Sequence, residues 1–203
     1  VVQWKQSQSA FPNSSFTGTR RYLLQSDNTA SVRSNLIQDM GNGVDMGDPN
    51  TLKDFIAWGK RLFPSDHTVL IVWNHGSGWS RSADGRAVSY DDELNTVIQT
   101  WQLPAALAGN HFDIIGWDAS LMQMAEVAYE VKDFADFVAG SEESPPGEGY
   151  PYQRVFKPFR DNPDASVRDL SKGFVDGMIN EPNYASRKIT QSVIETAKLP
   201  ALA

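Results

Sequence analysis

At 203 residues with a formal net charge of -7, the chain is long enough for one domain with a sizeable core, and its acidic balance argues against nucleic acid, whose binders usually show a basic face. It contains no cysteine, which excludes a disulfide frame, a thiol site and Cys-based zinc, and leaves the redox compartment open. No run of about 18 apolar residues is present, so no membrane span is expected, and no signal peptide is visible.

Residues 1–5 read as a strand, residues 6–19 as a polar loop rich in Ser, Asn and Gly, and residues 20–25 as a second strand able to form a hairpin with the first. Residues 39–50 are turn-rich. Asn50 or Thr51 then caps a helix with Leu52, Phe55, Ile56 and Leu62 on its apolar face, and Pro64 stops it. Residues 68–73 are apolar or β-branched without interruption, the pattern of a parallel strand covered on both faces. A glycine-containing polar loop follows over 77–89. Residues 91–102 read as a helix carrying Leu94, Val97, Ile98 and Trp101 on one face, ended or bent by Pro104. Residues 112–118 form another apolar strand, and Leu121, Met124, Ala125, Ala128 and Val131 then recur at helical spacing. Residues 137–140 are a short strand, 141–152 a Pro/Gly-rich loop at its carboxyl end, and 164–180 a helix with Val167, Leu170, Phe174 and Met178 inward. Residues 189–199 begin a further element. Strands alternating with helices predict one α/β domain over 1–203, a three-layer α/β/α sandwich around a mostly parallel sheet.

Such a sheet presents its chemistry at the carboxyl ends of its strands. His75 stands at one such end, followed by Gly76 and Gly78, which allow a sharp turn and a close approach to a ligand. A histidine there also suits a merely solvated strand end. His67 and His111 precede strands and belong at the opposite edge, so His75 is the candidate base. Ser120 lies at the next strand-to-helix turn. It reads either as an N-cap or as a nucleophile whose oxyanion would face backbone N–H groups and a helix dipole. The flanking residues, Asp118 and Met122, are not those of the Gly-x-Ser-x-Gly elbow.

Asn74-His75-Gly76-Ser77-Gly78-Trp79 and Asp118-Ala119-Ser120-Leu121-Met122, with the stretches 42–52 and 141–150 in the same order, resemble the clostripain-like cysteine peptidases of the caspase-like clan. The resemblance implies a caspase-like fold, a catalytic His at 75, and a nucleophilic Cys where this chain has Ser120. It implies Gly76 N–H as an oxyanion donor beside that of Ser120, and Asp118 at the floor of a pocket for an Arg or Lys side chain, held by charge-assisted hydrogen bonds. Ser141 and Glu142 are placed on the substrate-binding rim. Asp118 alternatively caps the following helix. The family's early strand and helix with an Asp-Asn pair have no counterpart here, so the domain is expected to be truncated at its amino end, and its carboxyl end is open to the same reading. The resemblance also implies a peptide or protein substrate and a place outside the cell or in the envelope of a bacterium. No cofactor is required. Calcium is compatible with the family, and the acidic loop 45–48 offers oxygen ligands, although no His/Asp/Glu cluster stands at ligand spacing.

A serine hydroxyl is far less acidic than a thiol and needs a well-oriented base; no orienting carboxylate is evident beside His75. The expectation is an endopeptidase domain that is inactive or nearly so as given. The alternative is a natural pseudopeptidase that binds basic peptide segments through Asp118 and the rim residues Glu142, Glu143 and Glu148. Family members mature by cutting themselves after a basic residue between the two catalytic stretches. Arg81 has little slack to reach a cleft, whereas Arg86, between Gly85 and Ala87, can extend into one. The bond expected to be cut in a Ser120→Cys form is Arg86–Ala87; otherwise Arg86 is a solvated loop charge.

Overall fold

The computed structural model describes residues 1–7, 16–26, 33–79 and 86–202. The chain divides into two compact units, Val1–Pro64 with Asp91–Thr96, and Ser65–Tyr90 with Val97–Ala203.

In the first unit β1 (Val2–Gln6), β2 (Gly18–Leu23) and β3 (Asn35–Gly41) form an antiparallel sheet in that order. The expected hairpin is present, with Gln3 opposite Arg21. β3 was not legible, because Leu36 and Ile37 are adjacent, face opposite ways and are both exposed, so no alternation marks the strand. Arg21 organises this unit. Its guanidinium, almost fully buried, donates to Gln3 Oε1 (2.8 Å), Gln38 Oε1 (3.2 Å) and Asp54 Oδ2 (2.6 Å), and lies over the Trp58 ring. It thereby joins all three strands to α1 (Pro49–Leu62). The cap of α1 is Asp48, not Asn50 or Thr51: its carboxylate accepts the Asn50 N–H at 2.8 Å, and Pro49 sits in the first turn, where its missing N–H costs nothing.

The second unit contains, in chain order, β4 (Val69–Trp73), β5 (Ala87–Asp91), β6 (Thr96–Gln99), α2 (Leu103–Leu107), β7 (Phe112–Asp118), α3 (Ala125–Val131), β8 (Ala135–Gly140), α4 (Tyr152–Val155), α5 (Lys157–Asp161), α6 (Val167–Ile179) and β9 (Ser192–Glu195). The turn of the β5–β6 hairpin is counted with the first unit. The main sheet runs β4-β7-β8-β9, with β4, β7 and β8 parallel and β9 antiparallel. One face carries Ile114, Phe137 and Ala139 against Leu170, Phe174 and Met178 of α6. The other carries Ile115, Trp117 and Val138, each buried. Both faces of the central strands are therefore covered, as a mixed α/β fold with a mostly parallel sheet requires. β4 departs from the expected burial on both faces: Val69 and Ile71 stay half-buried at the margin of the α6 core.

Residues 91–102 are not a helix. They form the β5–β6 turn, β6 and a short 3-10 segment, with Leu94 and Trp101 exposed. Asp91 decides this locally: its Oδ1 accepts the N–H groups of Glu93 and Leu94, and Asn95 takes a φ of 55°, a turn chemistry that outweighs apolar spacing. Pro104 ends nothing; it sits in the first turn of α2. α6 is as expected, capped by Ser166, whose side chain accepts the Asp169 N–H.

Phe174 has no exposed surface, and a Cβ added at Gly116 would lie 2.8 Å from its ring. Phe174→Ala is expected to cost about 3–5 kcal/mol of stability and Gly116→Ala about 1–3 kcal/mol, read by urea unfolding. An unchanged midpoint in either would contradict this packing.

Candidate functional site

The β4–β7 ladder sets the site. Its last pair is Trp73 opposite Asp118, and the Asn74 N–H still donates to the Asp118 carbonyl at 3.3 Å. His75 and Ser120 each follow two residues beyond that pair, at the carboxyl ends of adjacent parallel strands. The next residue of the first turn comes closer still: a Cβ on Gly76 would stand 2.4 Å from the Ser120 carbonyl oxygen and 2.8 Å from Met122. Only glycine permits this approach.

The turn that carries His75 is clamped by β5. The Asn74 side chain pairs with the Tyr90 backbone as a strand residue would, donating Nδ2–H to its carbonyl (3.2 Å) and accepting its N–H (3.0 Å), and it also accepts the His75 N–H (2.6 Å). Ser77 N–H donates to the Ala87 carbonyl (2.9 Å), and the Ser77 hydroxyl accepts from the Ala87 N–H (3.0 Å) and from the Tyr90 hydroxyl (2.9 Å). Gly76 then faces Val88 at a non-hydrogen-bonded position, which turns the Gly76 N–H away from β5. The exposed His75 ring meets the Tyr90 ring edge-on, centroids 6.3 Å apart. No carboxylate orients the imidazole among the described residues. His67 and His111 lie at the opposite strand ends, paired with Asp113 (2.8 Å) and Asp136 (3.0 Å), as their positions before strands predicted.

Ser120 is not a helix cap. α3 begins at Ala125 with Met124 at its cap position, and Leu121 takes a φ of 64°. The reversal at Leu121 is tied to the loop after β8: Leu121 N–H donates to the Glu143 carbonyl (3.2 Å) and Gln123 N–H to that of Ser141 (3.2 Å). The dipole of α3 therefore does not start at Ser120.

Asp118 is almost fully buried, yet it caps no helix. Its carboxylate accepts the Tyr150 N–H at 3.1 and 3.0 Å and the Tyr152 hydroxyl at 2.8 Å. Burial pushes its carboxyl above the usual range, opposed by these two donors. Gly149, with a φ of 76°, lies against it: a Cβ there would be 2.8 Å from Asp118 Oδ2 and 3.0 Å from Trp73 Nε1. No cation pairs with Asp118 among the described residues.

The rim residues divide. Ser141 is buried, its hydroxyl bonded to that of Thr190 (2.8 Å) and accepting the Glu143 N–H (3.1 Å), so it shapes the loop from within instead of facing a substrate. Glu142 is exposed and accepts from Ser192 (3.3 Å). Glu148 is already paired with the Arg187 guanidinium at 2.9 and 2.8 Å. A groove of about 620 Å³ runs beside this loop, lined by Glu143, Ser144, Arg187, Lys188, Ile189 and Thr190. Arg81 lies outside the described residues. The Arg86–Ala87 peptide is not free: the Arg86 carbonyl accepts the Thr100 N–H (2.8 Å), the Ala87 N–H is held by Ser77, and the Arg86 guanidinium lies 4.2 Å from the Trp79 ring. In the first unit, Asp45 holds the Gly47 N–H (2.8 Å) and the Thr96 hydroxyl, and Asp48 caps α1. These carboxylates are engaged in the fold of the first unit. No group of three or more metal-binding side chains occurs among the described residues.

The family model described as the clostripain family, peptidase C11, matches residues 18–203. Clostripain from Hathewaya histolytica is 32% identical over 128 residues, an alignment covering 56% of this chain and 24% of that protein. A secreted C11 cysteine protease from Bacteroides thetaiotaomicron, solved with an irreversible peptide inhibitor, is 23% identical with a TM-score of 0.71, covering 91% of this chain and 54% of the other. An inactive zymogen C11 protease from Parabacteroides distasonis is 24% identical with a TM-score of 0.69, covering 91% and 49%. The chain thus spans about a quarter of the curated relative's length and about half that of the solved relatives. At these structural identities the likeness carries the fold.

Asn74→Ala is expected to speed hydrogen exchange at the Tyr90 amide by about tenfold or more, since it removes the acceptor of that N–H and about 1.4 kcal/mol is a factor of ten. Unchanged Tyr90 exchange would show that Asn74 does not hold the clamp.

Proposed function

Because the chain belongs to the clostripain family, we propose that it forms the catalytic region of a cysteine-type endopeptidase in which His75 is the base and residue 120 the nucleophile position. The observation that supports this is the β4–β7 register, which brings residues 75 and 120 to neighbouring strand ends with the Gly76 backbone against Ser120. In the active form a thiolate at 120 attacks a peptide carbonyl, His75 delivers a proton to the leaving amine, and the N–H groups of residue 120 and Gly76 receive the oxyanion. With serine at 120 the step stalls: the hydroxyl needs a base fixed by a third group, and the described residues offer His75 none. The substrate is a peptide or protein, and Asp118 selects an Arg or Lys side chain before the scissile bond. The secreted Bacteroides relative supports a place outside the cytoplasm.

Maturation follows a cut after a basic residue in the segment 80–86. If that residue is Arg86, the bonds from Ser77 and Thr100 must first release the peptide.

The chain with Ser120 is expected to cleave Arg and Lys amide substrates negligibly, and Ser120→Cys to turn cleavage on. Strong cutting by the Ser120 form sinks the lost-nucleophile reading, and no cutting by either form favours a peptide-binding pseudopeptidase. In the Ser120→Cys form, Asp118→Ala should lower kcat/KM for Arg and Lys substrates roughly a hundredfold more than for neutral ones; equal losses would make Asp118 a loop anchor only. Mass spectrometry of the Ser120→Cys form should show a fragment ending at Arg86, formed faster when Ser77→Ala removes the Ala87 acceptor. Full activity from an uncut chain, or cutting only elsewhere, rejects Arg86.

A further inference from the structure

The carboxylate of Asp118 poses a physical problem that neither His75 nor Ser120 explains. It is 4% exposed, and no cation pairs with it among the described residues. An unpaired buried carboxylate carries a desolvation penalty of the order of several kcal/mol, and the usual response is to take up a proton. A protonated Asp118 would not attract a cationic side chain. The site therefore needs donors that favour the ionised form without themselves carrying charge.

Two are present, one from the loop after β8 and one from the first residue of α4. The Tyr150 N–H reaches both carboxylate oxygens, and the loop is pinned for this: the Tyr150 hydroxyl donates to the Trp117 carbonyl (2.8 Å) and the Tyr184 hydroxyl to the Gly149 carbonyl (2.6 Å). The second donor is the Tyr152 hydroxyl, on Oδ2. Tyr152 opens α4, stacks on Phe156 with ring centroids 6.0 Å apart, and is partly exposed while its hydroxyl end turns inward to Asp118. A carboxylate offers about four acceptor positions; these donors leave Oδ1 with capacity for a ligand. Trp73, exposed at the end of β4 with its Nε1 beside Gly149, supplies an aromatic wall on which the stem of a long cationic side chain can lie.

We propose that Tyr152 is a specificity-determining residue: its hydroxyl holds the Asp118 carboxylate ionised and aimed, so that the pocket between Trp73 and Tyr152 takes an arginyl or lysyl side chain over a neutral one of the same length. This rests on the reading of Asp118 as the pocket floor. Among the described residues, the titratable groups facing the carboxylate are Tyr150 and Tyr152 from the loop and α4, and Tyr184 behind Gly149; β4 contributes Trp73, which does not titrate. Burial pushes the Tyr152 phenol well above its ordinary range, helped by the adjacent Asp118 charge, so Tyr152 remains a donor at every working pH. The sign follows. Cation binding requires ionised Asp118 and is lost as pH falls through its pKa. Removing a donor to the ionised form raises that pKa, so the loss begins at higher pH.

The test needs no catalysis. Binding of an arginyl peptide amide and its norleucyl counterpart to the chain with Ser120 intact is measured by calorimetry across pH, alongside a carbon-13 NMR titration of Asp118, for the unchanged chain, Tyr152→Phe and Asp118→Asn. Tyr152→Phe keeps the ring stack and is expected to lower the arginyl-to-norleucyl affinity ratio about tenfold, the worth of one hydrogen bond to a charged group, and to move the acid limb of arginyl binding and the Asp118 titration to higher pH. An unchanged ratio and an unmoved Asp118 titration overturn the role of Tyr152. If Asp118→Asn abolishes the preference while Tyr152→Phe leaves it intact, the pocket stands and only the Tyr152 proposal falls. If the unchanged chain shows no arginyl preference at all, the pocket reading fails and takes this proposal with it.

Discussion

The in-register parallel ladder between β4 and β7 is the constraint on which the site depends. A parallel pair fixes which residues come level at its carboxyl end, and here it brings Trp73 level with Asp118. The candidate base His75 and the candidate nucleophile position 120 follow two residues beyond that pair. A register slip would separate residues 75 and 120 and flip successive side chains to the opposite face. The ladder is held by burial: Ile114 and Ile115 of β7 have no exposed surface, and α6 closes one face through Leu170, Phe174 and Met178. Burial of a Leu-sized side chain contributes about 1.5–3 kcal/mol, so the register is stabilised far from the reacting ends and does not rely on them.

The polar loops complete what the ladder begins. Asn74 and Ser77 borrow the backbone of β5 and so hold the His75 turn from the side away from Ser120. The loop after β8 does the same for the second turn, through carbonyls of Ser141 and Glu143 that accept from Gln123 and Leu121. Both reacting positions thus sit on turns braced by neighbouring segments, while each brace also touches a candidate control point: β5 begins at the bond after Arg86, and the β8 loop supplies one of the donors to Asp118. β5 therefore ties the bond after Arg86 directly to the His75 turn.

Buried polar groups account for most of the remaining architecture. Arg21 ties β1, β2, β3 and α1 through three side-chain acceptors, and Asp91 joins Lys5 at 2.6 Å to the Met46 N–H at 2.8 Å. Each is satisfied several times over, as a buried charge must be. Asp118 is the exception in kind, since its partners are neutral. A carboxylate met only by neutral donors is stabilised locally by their dipoles.

The sequence by itself determined the elements whose period is strong: the runs 69–73 and 112–118, the helix α6, the Gly76 turn, and the sorting of His75 from His67 and His111 by which end of a strand each occupies. It also carried the family, because Asn74-His75-Gly76 and the stretch around Ser120 are short contiguous motifs. Tertiary structure alone decided the rest. Residues 91–102 carry helical spacing, but Asp91, whose Oδ1 holds the local turn, is itself fixed through Oδ2 by Lys5 and the Met46 N–H, 86 and 45 residues away, so a hairpin wins. The start of α3 moved to Ala125 because the N–H groups after Ser120 are claimed by carbonyls about twenty residues away in the chain. The partners of Asp118, Tyr150 and Tyr152, stand 32 and 34 residues from it. No local pattern announces a hydrogen bond of that span; only the closed chain brings the donor to the charge.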